Sequence, residues 1–183
     1  MQKSLIEHAA PTLAGLKTAS MFNCSYSSED TIREELQRLN EDFNEKGLYF
    51  EILRVRAKTV LIYVYRENKL NHDLNQEQTR LLLKRLGYDN PTDIQASLKE
   101  LKMRLVHSNE FPHEIGLFLG YPFEDVLGFI THCGLNCKCC GYWKVYSDEG
   151  KAKRLFSQFT QCREIYKKLF LMGKTINQLI VAA

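Results

Sequence analysis

The chain of 183 residues is long enough for one compact domain or two small subdomains, and folding at this length buries roughly 70% of the unfolded chain's surface. Hydrophobic residues make up 44% of the sequence and charged residues 26%, ordinary values that argue against pervasive disorder. Because 25 basic residues face 22 acidic ones, the formal charge of +3 argues against a nucleic-acid partner.

The sequence lacks the features of a secreted or membrane protein. Its N-terminus has no apolar run of signal-peptide length, since Glu7 and His8 interrupt it. No segment reaches the ~18 apolar residues that a membrane-spanning helix requires. We therefore expect a cytoplasmic protein with no membrane partner. In that compartment the six cysteines are expected to be free thiols or metal ligands rather than disulfides.

The first third of the chain predicts a strand, a helix and two further strands. Residues 11–22 are rich in small residues and predict a strand, in which Gly15 allows close backbone approach. Residues 28–46 predict a helix, because apolar residues recur there every three or four positions. The runs 48–56 and 59–66 are β-branched and aromatic, and they predict two strands joined by a tight turn.

Helices dominate the rest of the chain. In chain order, the patterns predict a polar connector at 66–75, helices at 76–86, 90–105, 114–119 and 122–134, a strand at 142–146, a long helix at 147–173 and a tail helix at 175–183. Asn90 followed by Pro91 predicts a helix start, because Asn is a good cap and Pro needs no N–H donor there.

This element order predicts an α+β fold. A small antiparallel sheet with a β-α-β-β start would be covered by a helical C-terminal half. We expect a subdomain at 1–66 and a mainly helical one at 76–183, which carries a Cys-rich loop at 133–141, within one compact unit. The apolar stripe of the last long helix could meet the protein's own core or a second subunit, so a homo-oligomer is a further expectation.

Four of the six cysteines lie within eight residues, where their thiolates could bind a metal. Cys133, Cys137 and Cys140 have the C-x3-C-x2-C spacing of radical-SAM enzymes, but the motif lies too late in the chain for the barrel of that class. Our leading hypothesis is a zinc or iron–sulfur site that uses Cys137, Cys139 and Cys140. Cys133 or His113 would be an auxiliary ligand.

Two other interpretations of the cysteines stay open. Residues 137–140 contain C-x-x-C, and Lys138 could stabilise a thiolate, which favours a thiol oxidoreductase. Gly134 and Gly141 flank the cluster, as expected for a tight turn in which cysteines pack as small hydrophobic residues.

The aromatic run after the cysteines supports a different class of function. Tyr142, Trp143 and Tyr146, together with Lys144, could line a pocket for a small ligand or a surface for a partner protein. Lys17 would contribute to the same site. In this alternative the cysteines are structural and the protein is a binding module.

Acidic side chains near the predicted helix starts have a simpler interpretation. Glu114, Glu124 and Asp125 are expected to complement helix dipoles rather than to act in catalysis. His113 is followed by Glu114 but not by the H-E-x-x-H pattern, so a metalloprotease helix is excluded.

Several segments together resemble a known family. They are HAAPTLAGLKTASMF from His8, EFPHEIGLFLGYPFEDVLGFI from Glu110, NCKCCGYWKVY from Asn136 and DEGKAKRLFSQFTQC from Asp148. The chain is similar to the domain-of-unknown-function family 3793 of anaerobic bacteria, and the similarity spans nearly its whole length. The resemblance implies no activity. It implies a cytoplasmic bacterial protein from a setting rich in thiol chemistry, and we expect a link to iron or redox metabolism.

Overall fold

The computed structural model describes residues 1–107 and 111–182. Its helices are α1 (Gln2–Leu13), α2 (Glu29–Phe43), α3 (Glu67–Asn75), α4 (Glu77–Arg85), α5 (Ile94–His107), α6 (Ile115–Phe118), α7 (Phe123–Thr131), α8 (Glu149–Leu171) and α9 (Ile176–Leu179). Its strands are β1 (Ala19–Ser25), β2 (Leu48–Arg56), β3 (Thr59–Arg66), β4 (Cys139–Cys140) and β5 (Lys144–Val145). The predicted α+β class is confirmed.

The chain forms two compact units. The first comprises residues 1–70 and 162–183, and the second comprises residues 71–161. The chain therefore passes from one unit to the other twice, once within α3 and once within α8. Within the described residues, no helix combines the length and apolar content needed to cross a membrane.

An antiparallel sheet in the order β1-β3-β2 forms the centre of the first unit. The central strand β3 is buried from Val60 to Arg66, which explains its nearly continuous apolar sequence. The side chains of Val60, Ile62 and Val64 belong to a core that also contains apolar residues of α1, α2 and the C-terminal segment. The tight turn between β2 and β3 and the bounds of both strands match the sequence prediction.

The N-terminal segment differs from the prediction, because residues 11–13 are helical and the strand begins only at Ala19. The predicted strand at 11–22 is therefore wrong over its first part. Apolar residues at 5, 6, 9, 10 and 13 form one buried face of α1. Pro11 is tolerated in the last turns of this helix, where it removes only one backbone hydrogen bond.

Gly15 ends α1 instead of allowing close backbone approach. Its φ of +71° is a left-handed conformation that favours glycine, and nothing lies within 4 Å of the position where a Cβ would stand. The predicted role of Gly15 is thus wrong, and its conformational freedom explains its presence.

Two predictions fail at the start of the helical part. The expected connector at 66–75 is helix α3, because Leu70 and Leu74 lie one turn apart and are both fully buried. Helix α5 begins at Ile94 rather than at Pro91. The side chain of Asp93 caps it by accepting a hydrogen bond from the Ala96 N–H at 2.9 Å.

The remaining elements follow the prediction more closely. Helix α7 begins directly after Pro122 but ends at Thr131, before Gly134. The predicted strand at 142–146 is reduced to β5, which pairs with β4 in a short antiparallel hairpin. The predicted tail helix is present only as α9, which begins with a capping box of Thr175 and Gln178 and ends at Leu179. Ala183, the last residue of the predicted tail helix, lies outside the described residues.

Candidate functional site

A cavity of about 360 Å³ lies within the second unit. Its wall is formed by α6 and α7, the residues that precede each of them, and the hairpin of β4 and β5. The lining residues are Phe111, His113, Ile115, Gly116, Tyr121, Asp125, Val126, Phe129, Cys140, Gly141, Tyr142, Trp143 and Lys144. This volume lies toward the lower end of the roughly 300–1,000 Å³ typical of small-molecule sites.

Stacked aromatic rings hold one side of the cavity in place. The rings of Tyr121 and Trp143 are stacked, with centroids 4.9 Å apart. Phe156 of α8 meets the Trp143 ring edge-to-face at 4.6 Å, and it also contacts Tyr142. Such pairs restrain both rings beyond the effect of simple area burial. The Tyr121 hydroxyl donates to the Tyr142 carbonyl at 3.1 Å, and burial raises the pKa of Tyr121 to about 12.

Asp125 attaches the hairpin to α7. One of its carboxylate oxygens, Oδ2, accepts a hydrogen bond from Trp143 Nε1 at 2.7 Å. The other, Oδ1, accepts from the N–H of Tyr146 at 2.8 Å and from the N–H and Oγ of Ser147 at 2.7 and 2.8 Å. Burial raises the pKa of Asp125, but the hydrogen bonds from Tyr146, Ser147 and Trp143 outweigh it, and the net pKa is lowered.

This arrangement revises the interpretation of the predicted acidic residues. Asp125 lies in the first turn of α7, as expected, yet it is buried and hydrogen-bonded to the hairpin. Glu114 is also buried. It accepts a hydrogen bond from the Tyr88 hydroxyl at 3.2 Å and forms an ion pair with Arg104 at 3.5 Å. The predicted helix-dipole role is therefore incomplete for Asp125 and Glu114. Of the three acidic residues, only Glu124 is exposed, as that role would require.

A cation lies at another part of the wall. Lys144 Nζ donates to the Gly134 carbonyl at 2.7 Å and lies 5.8 Å from the centroid of the Phe129 ring. The His113 ring meets the Phe129 ring edge-on, with the two ring centroids 4.9 Å apart. Lys144 and His113 therefore lie beside the same aromatic ring.

Two glycines allow the walls to approach closely. A Cβ on Gly141 would stand 2.3 Å from Phe156 Cδ2, and one on Gly116 would stand 2.8 Å from Val126 Cγ2. Real Cβ atoms do not approach other atoms so closely, so larger residues would displace these walls. The prediction that Gly134 and Gly141 flank a tight turn agrees with the geometry, since Gly134 has a φ of +74°.

The cysteines do not share one environment. Cys140 is exposed and lines the cavity, whereas Cys139 packs against the cluster around Trp143. Cys133 is exposed and has an unusual positive φ of 50°. Desolvation raises the pKa of Cys139, with Glu149 acting in the same direction, and a higher pKa makes a thiol less reactive at neutral pH. Cys137 is near enough to Cys139 to contribute to the same shift.

The predicted metal ligands are only partly brought together. Cys140 and His113 both line the cavity. Throughout residues 1–107 and 111–182, however, no group of three or more His, Cys, Asp or Glu side chains is arranged to hold a metal ion. Zinc or iron–sulfur binding by Cys137, Cys139 and Cys140, with Cys133 or His113, stays a prediction, as does the oxidoreductase hypothesis.

Three of the four residues predicted from the aromatic run lie together at the cavity. Tyr142, Trp143 and Lys144 all line the cavity. Tyr146 does not, and its ring stacks on His132 with centroids 5.7 Å apart. Lys17 belongs to the first unit, where it is buried and donates to the Ala19 carbonyl. Burial lowers the pKa of Lys17 to about 7.

Several wall residues were not predicted as site residues by the sequence analysis, among them Tyr121, Asp125 and Phe129. Asp125 and Phe129 are four residues apart on α7, so they share a face of that helix. That spacing could have indicated an acidic residue on a buried aromatic face. No comparable local pattern marks Tyr121.

Comparison with known proteins identifies a family but no activity. The family described as protein of unknown function (DUF3793) matches residues 5–180, which is nearly the whole chain. No curated protein and no solved structure matches the sequence.

Proposed function

This chain belongs to the DUF3793 family, and on that premise we propose that its second unit is a binding module for a small, largely apolar aromatic molecule. The observation that carries the proposal is the cavity between α6, α7 and the β4–β5 hairpin. Cavities of this size with aromatic walls and a few polar groups are the usual form of small-molecule sites. The hypothesis based on the GYWKVY segment is thereby developed into a specific site.

The composition of the wall favours an aromatic ligand. Phe111, Tyr121, Phe129 and Trp143 contribute rings from four separate parts of the sequence. Aromatic side chains favour offset-stacked or edge-to-face contacts with another ring, so a planar guest is suited to this lining. Ile115 and Val126 add aliphatic surface, which favours exclusion of water from such a guest.

The wall is also held before any ligand arrives. Asp125 connects α7 to the hairpin through four hydrogen bonds, and Phe156 restrains the Trp143 ring from its other side. A site whose side chains are already ordered loses less conformational entropy on binding. The ordered side chains around the cavity therefore support its role in binding a ligand.

A ligand-observed NMR experiment tests the proposal. We expect cinnamamide and 2-naphthamide, both neutral, to give saturation-transfer signals with the wild-type protein. Val126→Phe should abolish these signals because the new ring occupies the cavity. Cys140→Phe introduces a ring into the cavity from an exposed position of β4, so it serves as a second variant if Val126→Phe folds poorly.

Leu127→Phe is the matched control. Leu127 neighbours Val126 on α7 but is 41% exposed and does not line the cavity. The saturation-transfer signals of the probes with Leu127→Phe should equal those with the wild-type protein. Binding that survives both filling variants, or the failure of both the neutral probes and the corresponding acid 2-naphthoate to bind, would refute the proposal.

A further inference from the structure

The polar groups of the cavity wall carry a further inference, which rests on the function proposed above. Asp125 is the acidic residue of the lining, but both of its oxygens already accept hydrogen bonds. The Trp143 N–H and the Tyr121 hydroxyl are likewise engaged with protein acceptors. The Tyr142 hydroxyl is buried from solvent. A ligand would therefore meet no uncommitted carboxylate among the described lining residues.

Lys144 has unused capacity to donate hydrogen bonds. Its ammonium group carries three N–H donors, and one of them reaches the Gly134 carbonyl. Among residues 1–107 and 111–182, no carboxylate lies within 4.0 Å of its nitrogen. The side chain is half-buried beside the Phe129 ring. A cation in such a place interacts more strongly with an anion than it would in open water.

We infer that the ligand of this cavity is an aromatic monocarboxylate, whose ring packs among Tyr121, Phe129 and Trp143 and whose carboxylate pairs with Lys144. His113 lies beside the same Phe129 ring and offers a second nitrogen to the carboxylate. A single lysine with one histidine is suited to one negative charge, whereas bidentate recognition of a phosphate dianion commonly uses arginine. The described lining residues include no arginine.

The alternative is a structural role, in which Lys144 only donates a hydrogen bond to the Gly134 carbonyl after α7. The two roles predict different results with a matched pair of probes, 2-naphthoate and 2-naphthamide. These molecules have the same ring and nearly the same size, and they differ in charge. A structural lysine would affect the binding of both probes equally, whereas a carboxylate-binding lysine would affect only the acid.

Titration calorimetry with the full chain provides the test. We expect the wild-type protein to bind 2-naphthoate at least ten-fold more tightly than 2-naphthamide. Lys144→Met should remove that preference while leaving the affinity for 2-naphthamide within about three-fold of wild type, which also shows that the cavity is intact. Lys144→Arg retains the charge and should retain most of the preference.

Lys138→Met is the control for a general change in charge. Lys138 lies in the same hairpin region, is exposed, and donates to the Ser147 carbonyl rather than lining the cavity. The Lys138→Met substitution should leave the preference for 2-naphthoate over 2-naphthamide unchanged. Equal affinities of the wild type for both probes, or an equal loss of both in Lys144→Met, would overturn the inference and leave the proposed function standing. Binding of neither probe would refute the proposed function itself.

Discussion

Asp125→Asn is the substitution for which the structure allows the most detailed prediction. The carboxylate is only 2% exposed and accepts four hydrogen bonds from three residues of the hairpin region. An asparagine of the same shape can keep its oxygen at the position of Oδ1. Its NH₂ group then faces the N–H of Trp143, which stood 2.7 Å from Oδ2. Two donors would oppose each other there.

The expected cost follows from these contacts. The three hydrogen bonds to Oδ1 become bonds to a neutral acceptor, and each falls from about 1.5–3 kcal/mol to about 0.5–1.5 kcal/mol. The unpaired indole N–H adds a desolvation penalty of about 1–3 kcal/mol. Removing a buried charge gives some free energy back, because burial opposes ionisation of Asp125. We expect a net loss of about 3 kcal/mol in the free energy of unfolding.

Urea unfolding followed by fluorescence measures this loss, because Trp143 is the single tryptophan of the chain and contacts Asp125 directly. The effect should depend on pH in one direction. The pKa of Asp125 is lowered in the folded state, and an unfolded aspartate titrates near ~3.9. The stabilisation is therefore fully present above about pH 4 and is lost as the pH falls through the folded value.

Asp148→Asn is the matched control. Asp148 is exposed and caps α8 by accepting a hydrogen bond from the Lys151 N–H at 2.9 Å. Asparagine caps helices as well as aspartate does, so its effect should stay within about 0.5 kcal/mol. A change of less than 0.5 kcal/mol in Asp125→Asn at pH 7, or a difference from wild type that persists unchanged at pH 2.5, would refute the reasoning.

Three further substitutions test individual buried groups. Burial lowers the pKa of Lys17 to about 7, against ~10.4 when unfolded, so the unfolded chain binds more protons between these values and stability rises with pH there. Lys17→Met should flatten that rise in urea unfolding followed by circular dichroism, and an unchanged slope would contradict the account. Arg66→Lys should cost about 2–4 kcal/mol by the same assay, because a lysine cannot reach both the Thr12 and Leu13 carbonyls that the guanidinium contacts. A loss below 1 kcal/mol would contradict this account of the Arg66 contacts. The Tyr142 hydroxyl is buried without a partner among the described residues, so Tyr142→Phe should leave thermal stability unchanged or raise it by up to about 1 kcal/mol, whereas a clear loss would indicate a hydrogen bond.

Local patterns predicted the elements whose burial repeats along the sequence. Alternating β-branched and aromatic residues indicated β2 and β3 with their observed bounds. The spacing of Ile32 and Leu36 indicated α2, where both side chains are buried. Patterns of this kind failed where polar residues concealed a short apolar face. Helix α3 is an example, since only Leu70 and Leu74 mark its buried side.

The sequence analysis singled out part of the cavity wall. The aromatic run at 142–144 was identified from residue type, because large rings next to a lysine are typical of ligand sites. The anchoring role of Asp125 was not predictable, because an acid in a first helical turn is normally exposed. Its burial depends on the hairpin, which lies about twenty residues away along the chain. Lys17 is not among the residues that line the cavity, and its contribution to a ligand site stays a prediction.

The sequence alone determined the class of the fold, most of its helices and strands, and the concentration of thiols and aromatic rings in one segment. Those properties depend on residue type and on periodicity, which act over a few neighbouring positions. Only the tertiary structure decided that residues 162–183 belong with the N-terminal unit and that Tyr121, Phe129 and Trp143 surround one cavity. The physical reason is that an apolar face specifies that it must be buried but not which distant face will cover it.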